Sequence, residues 1–213
     1  MNTRIIMLGG GGHARVLAGT LLQQGRSAEG YCAPGNEGEL LPGVPYLGTD
    51  AQLLKHPAED VLLVNGVGSV GYSDLRRELF ERHHLQGYRF LTVEHPSATL
   101  APDLIQGDGC QFLPGSIVNT GTELGNNVIV NSRALVEHDC NIGDHVHIAS
   151  GAVICGGCSI GPGVHIGAGA VVIQGIQVGN GAIIAAGSVV IQNVEPLTLV
   201  AGVPAETKRD LTG

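Results

Sequence analysis

The segment Asn131-Ser132-Arg133-Ala134-Leu135-Val136-Glu137-His138-Asp139 sets one imidazole between two carboxylates. A carboxylate bonded to one ring nitrogen fixes the tautomer and raises the basicity of the other, as a general base near neutral pH requires. Neighbours in a strand point to opposite sides, so Glu137 and Asp139 cannot both reach the ring from a plain strand; at a corner either can. Eighteen residues after His138 stands Gly156, beside Cys155. A glycine there leaves room for a thioester, and its N–H is suited to an oxyanion. His147 and His165 repeat at the same interval, so they should stack. A second constellation is Gly9-Gly10-Gly11-Gly12-His13, between an apolar strand and an amphipathic segment. Backbone N–H groups and the helix dipole favour a phosphate there. The competing reading is a plain strand-to-helix turn. NAD(P) does not fit, because the acidic residue that should end the second strand is replaced by Tyr31-Cys32-Ala33-Pro34. A nucleotide-sugar diphosphate matches better.

The elements that must position these groups are legible as a period of six. Every sixth residue from Phe112 to Val190 is apolar, through Val118, Leu124, Val130, Val136, Ile142, Ile148, Ile154, Ile160, Ile166, Val172, Val178 and Ile184. Two positions before most of them stands a small or β-branched residue, such as Ala134, Ala152 and Ala170. Three hexads close one triangular coil, which predicts a solenoid of short parallel strands. Gly125, Gly143, Gly161, Gly167 and Gly179 are expected at its corners with positive φ. The first hundred residues alternate strand and helix, which predicts a parallel, Rossmann-like α/β unit. Its expected strands are Arg4–Leu8, Ser27–Tyr31, Val61–Val64 and Tyr88–Val93. Its expected helices are His13–Gln24, with Val16, Leu17, Leu21 and Leu22 towards the sheet, and Ser73–His84, capped by Ser73. Three segments result: an α/β nucleotide-sugar-binding domain over 1–97, a β-helix over 98–194 and a tail over 195–213.

A net charge of −8 without a basic stretch argues against a nucleic-acid partner. No apolar run reaches membrane-spanning length and no secretory leader is evident, so a cytoplasmic protein is expected. Of five cysteines, Cys110, Cys140 and Cys158 occupy the small inward register, which favours packing over metal or redox chemistry for the Cys155–Cys158 pair.

The chain resembles the sugar acyltransferases that include sialic acid O-acetyltransferases and bacterial nucleotide-sugar 4-amino N-acetyltransferases. The resemblance spans nearly the whole chain. It rests on Gly9–His13, His95-Pro96-Ser97-Ala98, Asn131, Glu137-His138-Asp139-Cys140, Ile142-Gly143-Asp144, His147 and Ala201-Gly202-Val203-Pro204-Ala205. It implies a left-handed parallel β-helix and acetyl-CoA as cosubstrate, without a metal. His138 would be the general base, Glu137 or Asp139 its orienter, and Asn131 a neighbour of the reacting sugar. His147 would line the thioester side, with Gly156, Ala168 and Ala186 along the pantetheine. Gly9, Gly10, Gly11, Gly12 and His13, with Gly68 and Ser69 of the Gly66–Ser69 loop, would hold the nucleotide sugar. A homotrimer with sites between adjacent prisms is implied. Two departures stand out. Cys32-Ala33-Pro34-Gly35 replaces the acidic pair usual in UDP-sugar binders, and Glu206 takes the place of a basic residue facing the coenzyme, a role left to Lys208 or Arg209. O-acetylation of a sialic-acid-like sugar and a non-catalytic β-helix binding protein are the rivals. The three-histidine zinc site of γ-type carbonic anhydrases, built on the same helix, needs a His-x4-His spacing absent here.

Overall fold

The computed structural model describes residues 4–69 and 74–212. The chain divides into two compact units, Met1–Pro96 and Ser97–Gly213. In the first, β1 (Arg4–Leu8), β2 (Gly30–Cys32), β3 (Tyr46–Gly48), β4 (Val61–Asn65) and β5 (Arg89–Phe90) form a parallel sheet of order β3-β2-β1-β4-β5. The helices are α1 (Gly12–Gln23), the single turn α2 (Asp50–Leu53) and α3 (Leu75–Leu85). Ile6, Leu8 and Leu63 pack with Leu53 of α2 and Phe80 of α3 on one face of the sheet.

The helix α1 buries Ala14, Leu17, Ala18 and Leu21, whereas Val16 and Leu22 are exposed. The expectation that those two face the sheet is corrected. Small residues at 14 and 18 let the helix lie close, which rotates its apolar stripe away from the bulkier pair. The second strand starts three residues later than expected, and β3 and α2 were not foreseen. Asp74 occupies the N-cap position of α3; the Ser73 cap expected from the sequence lies outside the described residues.

The second unit is a three-sided parallel β-helix. Face 1 stacks Thr99–Leu100, Ile117–Val118, Leu135–Val136, Val153–Ile154, Val171–Val172 and Val189–Val190. Face 2 runs from Ile105–Gln106 through Glu123–Leu124, Asn141–Ile142 and Ser159–Ile160 to Gln177–Val178. Face 3 carries Gln111–Phe112, Ile129–Val130, His147–Ile148, His165–Ile166 and Ile183–Ile184. It continues into Thr198–Ala201, which pairs antiparallel with Glu206–Asp210, so part of the tail is sheet. Each residue pairs with the one eighteen positions on, as Leu135 with Val153 and His147 with His165. All fourteen members of the six-residue ladder are buried, and Cys110, Cys140 and Cys158 share their core.

The glycine reading needs correction. Positive φ falls on a different column: Gly109, Gly115, Gly121, then every sixth residue to Gly187, with Asn127, Arg133, Asp139 and His145 in the middle. Gly125, Gly143, Gly161, Gly167 and Gly179 are required for space instead. A Cβ on Gly143 would lie 2.6 Å from the nitrogen of Pro162, and one on Gly167 2.5 Å from that of Ala186.

Candidate active site

His138 lies in the turn between faces 1 and 2. There Asp139 takes φ of 56°, a left-handed conformation that Asp tolerates better than most residues. The turn brings two consecutive side chains together, and His138 Nδ1 meets Asp139 Oδ2 at 2.8 Å. Glu137 is held elsewhere, accepting a hydrogen bond from Asn119 Nδ2 at 2.8 Å, one coil earlier. The bond to Asp139 raises the His138 pKa above its ordinary value, desolvation opposes it, and the charges of Asp139 and Glu137 add to the rise. Both partners are well exposed, so the pair contributes little to stability. With Nδ1 bonded to Asp139, Nε2 is the nitrogen left for substrate. It faces Gly156, where a Cβ would lie 2.7 Å from Nε2 and from Cε1. The Gly156 N–H has no acceptor among the described residues. Asn119 was missed in the sequence; its signal is the eighteen-residue step to Glu137.

A second cluster lies on face 3 and the edge leading to face 1. Asn131 Oδ1 accepts the Ser132 N–H at 2.7 Å, which orients the amide so that Nδ2 donates to His147 Nε2 at 3.1 Å. His147 is 7% exposed, and its ring meets that of His165 edge to face, centroids 4.9 Å apart. Along this edge Ala168 and Ala186 are exposed one coil apart, and the Gly187 N–H bonds the Ala168 carbonyl at 2.9 Å. Within one chain, then, His138 and Gly156 occupy one edge of face 1, and Asn131, His147, Ala168 and Ala186 lie towards the other. Lys208 is exposed and pairs with Glu206 at 3.1 Å.

In the α/β unit, β1 and β4 are neighbours and both end in glycine-rich segments, the switch point at which open α/β sheets bind ligands. Gly9 has φ of 94°, and a Cβ on it would lie 3.0 Å from Val67. Gly66 abuts Ala14, and Gly68 lies against His13, so the two segments adjoin. Gly10 rests on the ring of Tyr31, a support that sequence reasoning missed and for which the sequence carries no evident signal. Gly11 and Gly12 have nothing within 4 Å of a built Cβ, and α1 begins there with no side-chain cap and no acid in its first turn. A helix start without a side-chain cap is the kind of N-terminus that suits an anion.

Comparison with known proteins follows this division. Residues 4–83 match the PglD N-terminal domain, and residues 121–156, 139–174 and 157–192 match the bacterial transferase hexapeptide (six repeats). The perosamine N-acetyltransferase PerB of Caulobacter crescentus, solved with CoA and GDP-perosamine, is 30% identical over 97% of both chains, with a TM-score of 0.89. The acetyltransferase domain of PglB from Neisseria gonorrhoeae is 32% identical over 97% of this chain and 100% of that one, at 0.90. WeeI from Acinetobacter baumannii is 26% identical over 96% and 99%, at 0.86. With its left-handed parallel β-helix and PglD-type α/β domain, the chain belongs to the hexapeptide-repeat sugar acetyltransferases.

Proposed function

We propose that this enzyme transfers the acetyl group of acetyl-CoA directly to the 4-amino group of a nucleotide-linked deoxyaminosugar, with His138 as general base. The observation that carries this reading is the His138 ring, tied to Asp139 through Nδ1 and presenting Nε2 over Gly156. The neutral sugar amine attacks the thioester carbonyl while Nε2 takes its proton. The oxyanion is received by the Gly156 N–H, the C–S bond breaks, and the proton passes to the CoA thiolate. Acetyl-CoA is the cosubstrate, in line with the relatives crystallised with CoA or acetyl-CoA.

The nucleotide diphosphate lies on Gly9, Gly10, Gly11, Gly12 and His13, closed by Gly68 and Ser69; the start of α1, which has no side-chain cap and no acid in its first turn, supports this. His147 and Asn131 serve the acyl and sugar side from a neighbouring copy. Outward on face 1 stand Ile117, Leu135, Val153, Val171 and Val189, an apolar ladder between the two edges that carry complementary halves of the site. A threefold, heterologous contact through this face joins one chain's His138 edge to the next chain's Ala168 and Ala186 edge. Lys208 exchanges Glu206 for a coenzyme phosphate. Five free thiols fit a reducing compartment, the cytoplasm.

The test is to incubate the enzyme with acetyl-CoA and a panel of nucleotide 4-aminosugars, following thiol release and a product acetyl group stable to mild base. His138→Ala lowers kcat far more than it weakens coenzyme binding. Near-normal turnover in that variant refutes the assignment.

A further inference from the structure

The column Ile129–His147–His165–Ile183 on face 3 sets two imidazoles between two isoleucines that are 0% and 9% exposed. Within it His147 is buried and His165 half-buried. His147 is accounted for by Asn131, and the proposed function uses it. His165 lies beside it and is not used by the proposed function. Its ring is perpendicular to that of His147, at 88° and 4.9 Å between centroids, the edge-to-face geometry favoured by ring quadrupoles.

Two contacts bear on the His147 ring. The Asn131 amide, turned by the Ser132 N–H, donates to Nε2, so the neutral ring carries its proton on Nδ1. The edge-to-face contact fixes the plane in which that ring lies. We infer that His165 is a positioning residue, holding the His147 ring in the one orientation in which Asn131 can donate to Nε2, so that its face of the prism can receive the thioester end of acetyl-CoA. The inference rests on the coenzyme-side reading of His147. His165 itself need touch no substrate; it acts through the ring beside it.

The experiment uses the full-length enzyme, with acetyl-CoA binding followed by calorimetry and histidine side-chain nitrogens followed by 15N NMR. In wild type, His147 shows the separated resonances of a single neutral tautomer. His165→Leu raises the acetyl-CoA Kd about three- to tenfold, what an edge-to-face ring pair is worth, and moves the His147 resonances towards a tautomer average. His165→Phe keeps the ring contact, stays near wild type in both readouts, and controls for folding through its melting temperature. A His165→Leu enzyme that melts like His165→Phe, binds acetyl-CoA as wild type does and leaves the His147 resonances unmoved overturns the inference. His147→Gln separates the two claims. If it leaves acetyl-CoA binding unchanged, the coenzyme-side reading of His147 fails, and the nitrogen resonances still decide whether His165 positions that ring.

Discussion

Two adjacent glycines allow the chemistry at His138 to be separated from the stability of the fold. Gly156 has an ordinary backbone conformation, but a Cβ on it would lie 2.7 Å from His138 Nε2, where ordinary contact begins near 3.4 Å. In Gly156→Ala the imidazole must therefore retreat by roughly 0.7 Å, and a misplacement of about that size costs on the order of 10²-fold in rate. The same substitution leaves stability nearly unchanged, because alanine takes this backbone without strain and the exposed ring can give way. Gly157 is the reverse case. Its φ is 70° and nothing lies within 4 Å of a built Cβ. Gly157→Ala should cost about 1–2 kcal/mol from the left-handed conformation, a drop of a few degrees in Tm, and leave kcat intact. The assay is initial rate of thiol release beside a thermal melt for each variant. A Gly156→Ala enzyme with kcat within twofold of wild type would refute the placement of the reacting atoms over Gly156, as would a Gly157→Ala enzyme that loses activity but not stability.

Asp139 raises the His138 pKa, so Asp139→Asn should move the acid limb of the kcat profile to lower pH and depress the plateau. Glu137→Gln, acting only through its charge, should shift it less. His83 is 1% exposed, and burial holds its pKa below the ordinary 6.5, partly offset by Gln86 and Asp50. Below that value the unfolded chain takes up a proton that the buried ring resists, so stability should fall as pH drops from 6.5 towards the folded pKa. Urea midpoints at pH 7 and pH 5 measure the loss, which His83→Phe should shrink. Val153→Asp places a charge in the middle of the face 1 ladder and should convert the proposed trimer into monomers by light scattering, with acetyl transfer lost in the same fractions.

The ladder from Phe112 to Val190 was fully legible, because a six-residue period of buried apolar residues has few other solutions. The glycines were not, since the chain spends them on two unrelated demands. One column needs a left-handed backbone and the other needs room beneath the next coil, and nothing in the letter G separates them. Asn127, Arg133, Asp139 and His145 hide the first column by occupying four of its places in succession. The choice between Glu137 and Asp139 was likewise out of reach, as it depends on a left-handed residue at 139 and on Asn119 one coil away. In the α/β unit the glycine turn was evident, but the stripe of α1 was misjudged. Alanine at 14 and 18 carries no hydrophobic weight in a pattern, yet it decides how near the helix lies.

The eighteen-residue pairing makes length within the prism a quantised variable. An insertion of one whole coil returns every later residue to its own face, with His147 and His165 both still on face 3 and the glycine columns in line. An insertion of one hexad keeps the interior filled, since every sixth residue is apolar, but turns everything beyond it by one face. Such a chain would fold, and Ala168 and Ala186 would leave the edge they share with Ser150. For a gene of this kind, selection on folding alone permits steps of six, whereas selection on catalysis permits only steps of eighteen.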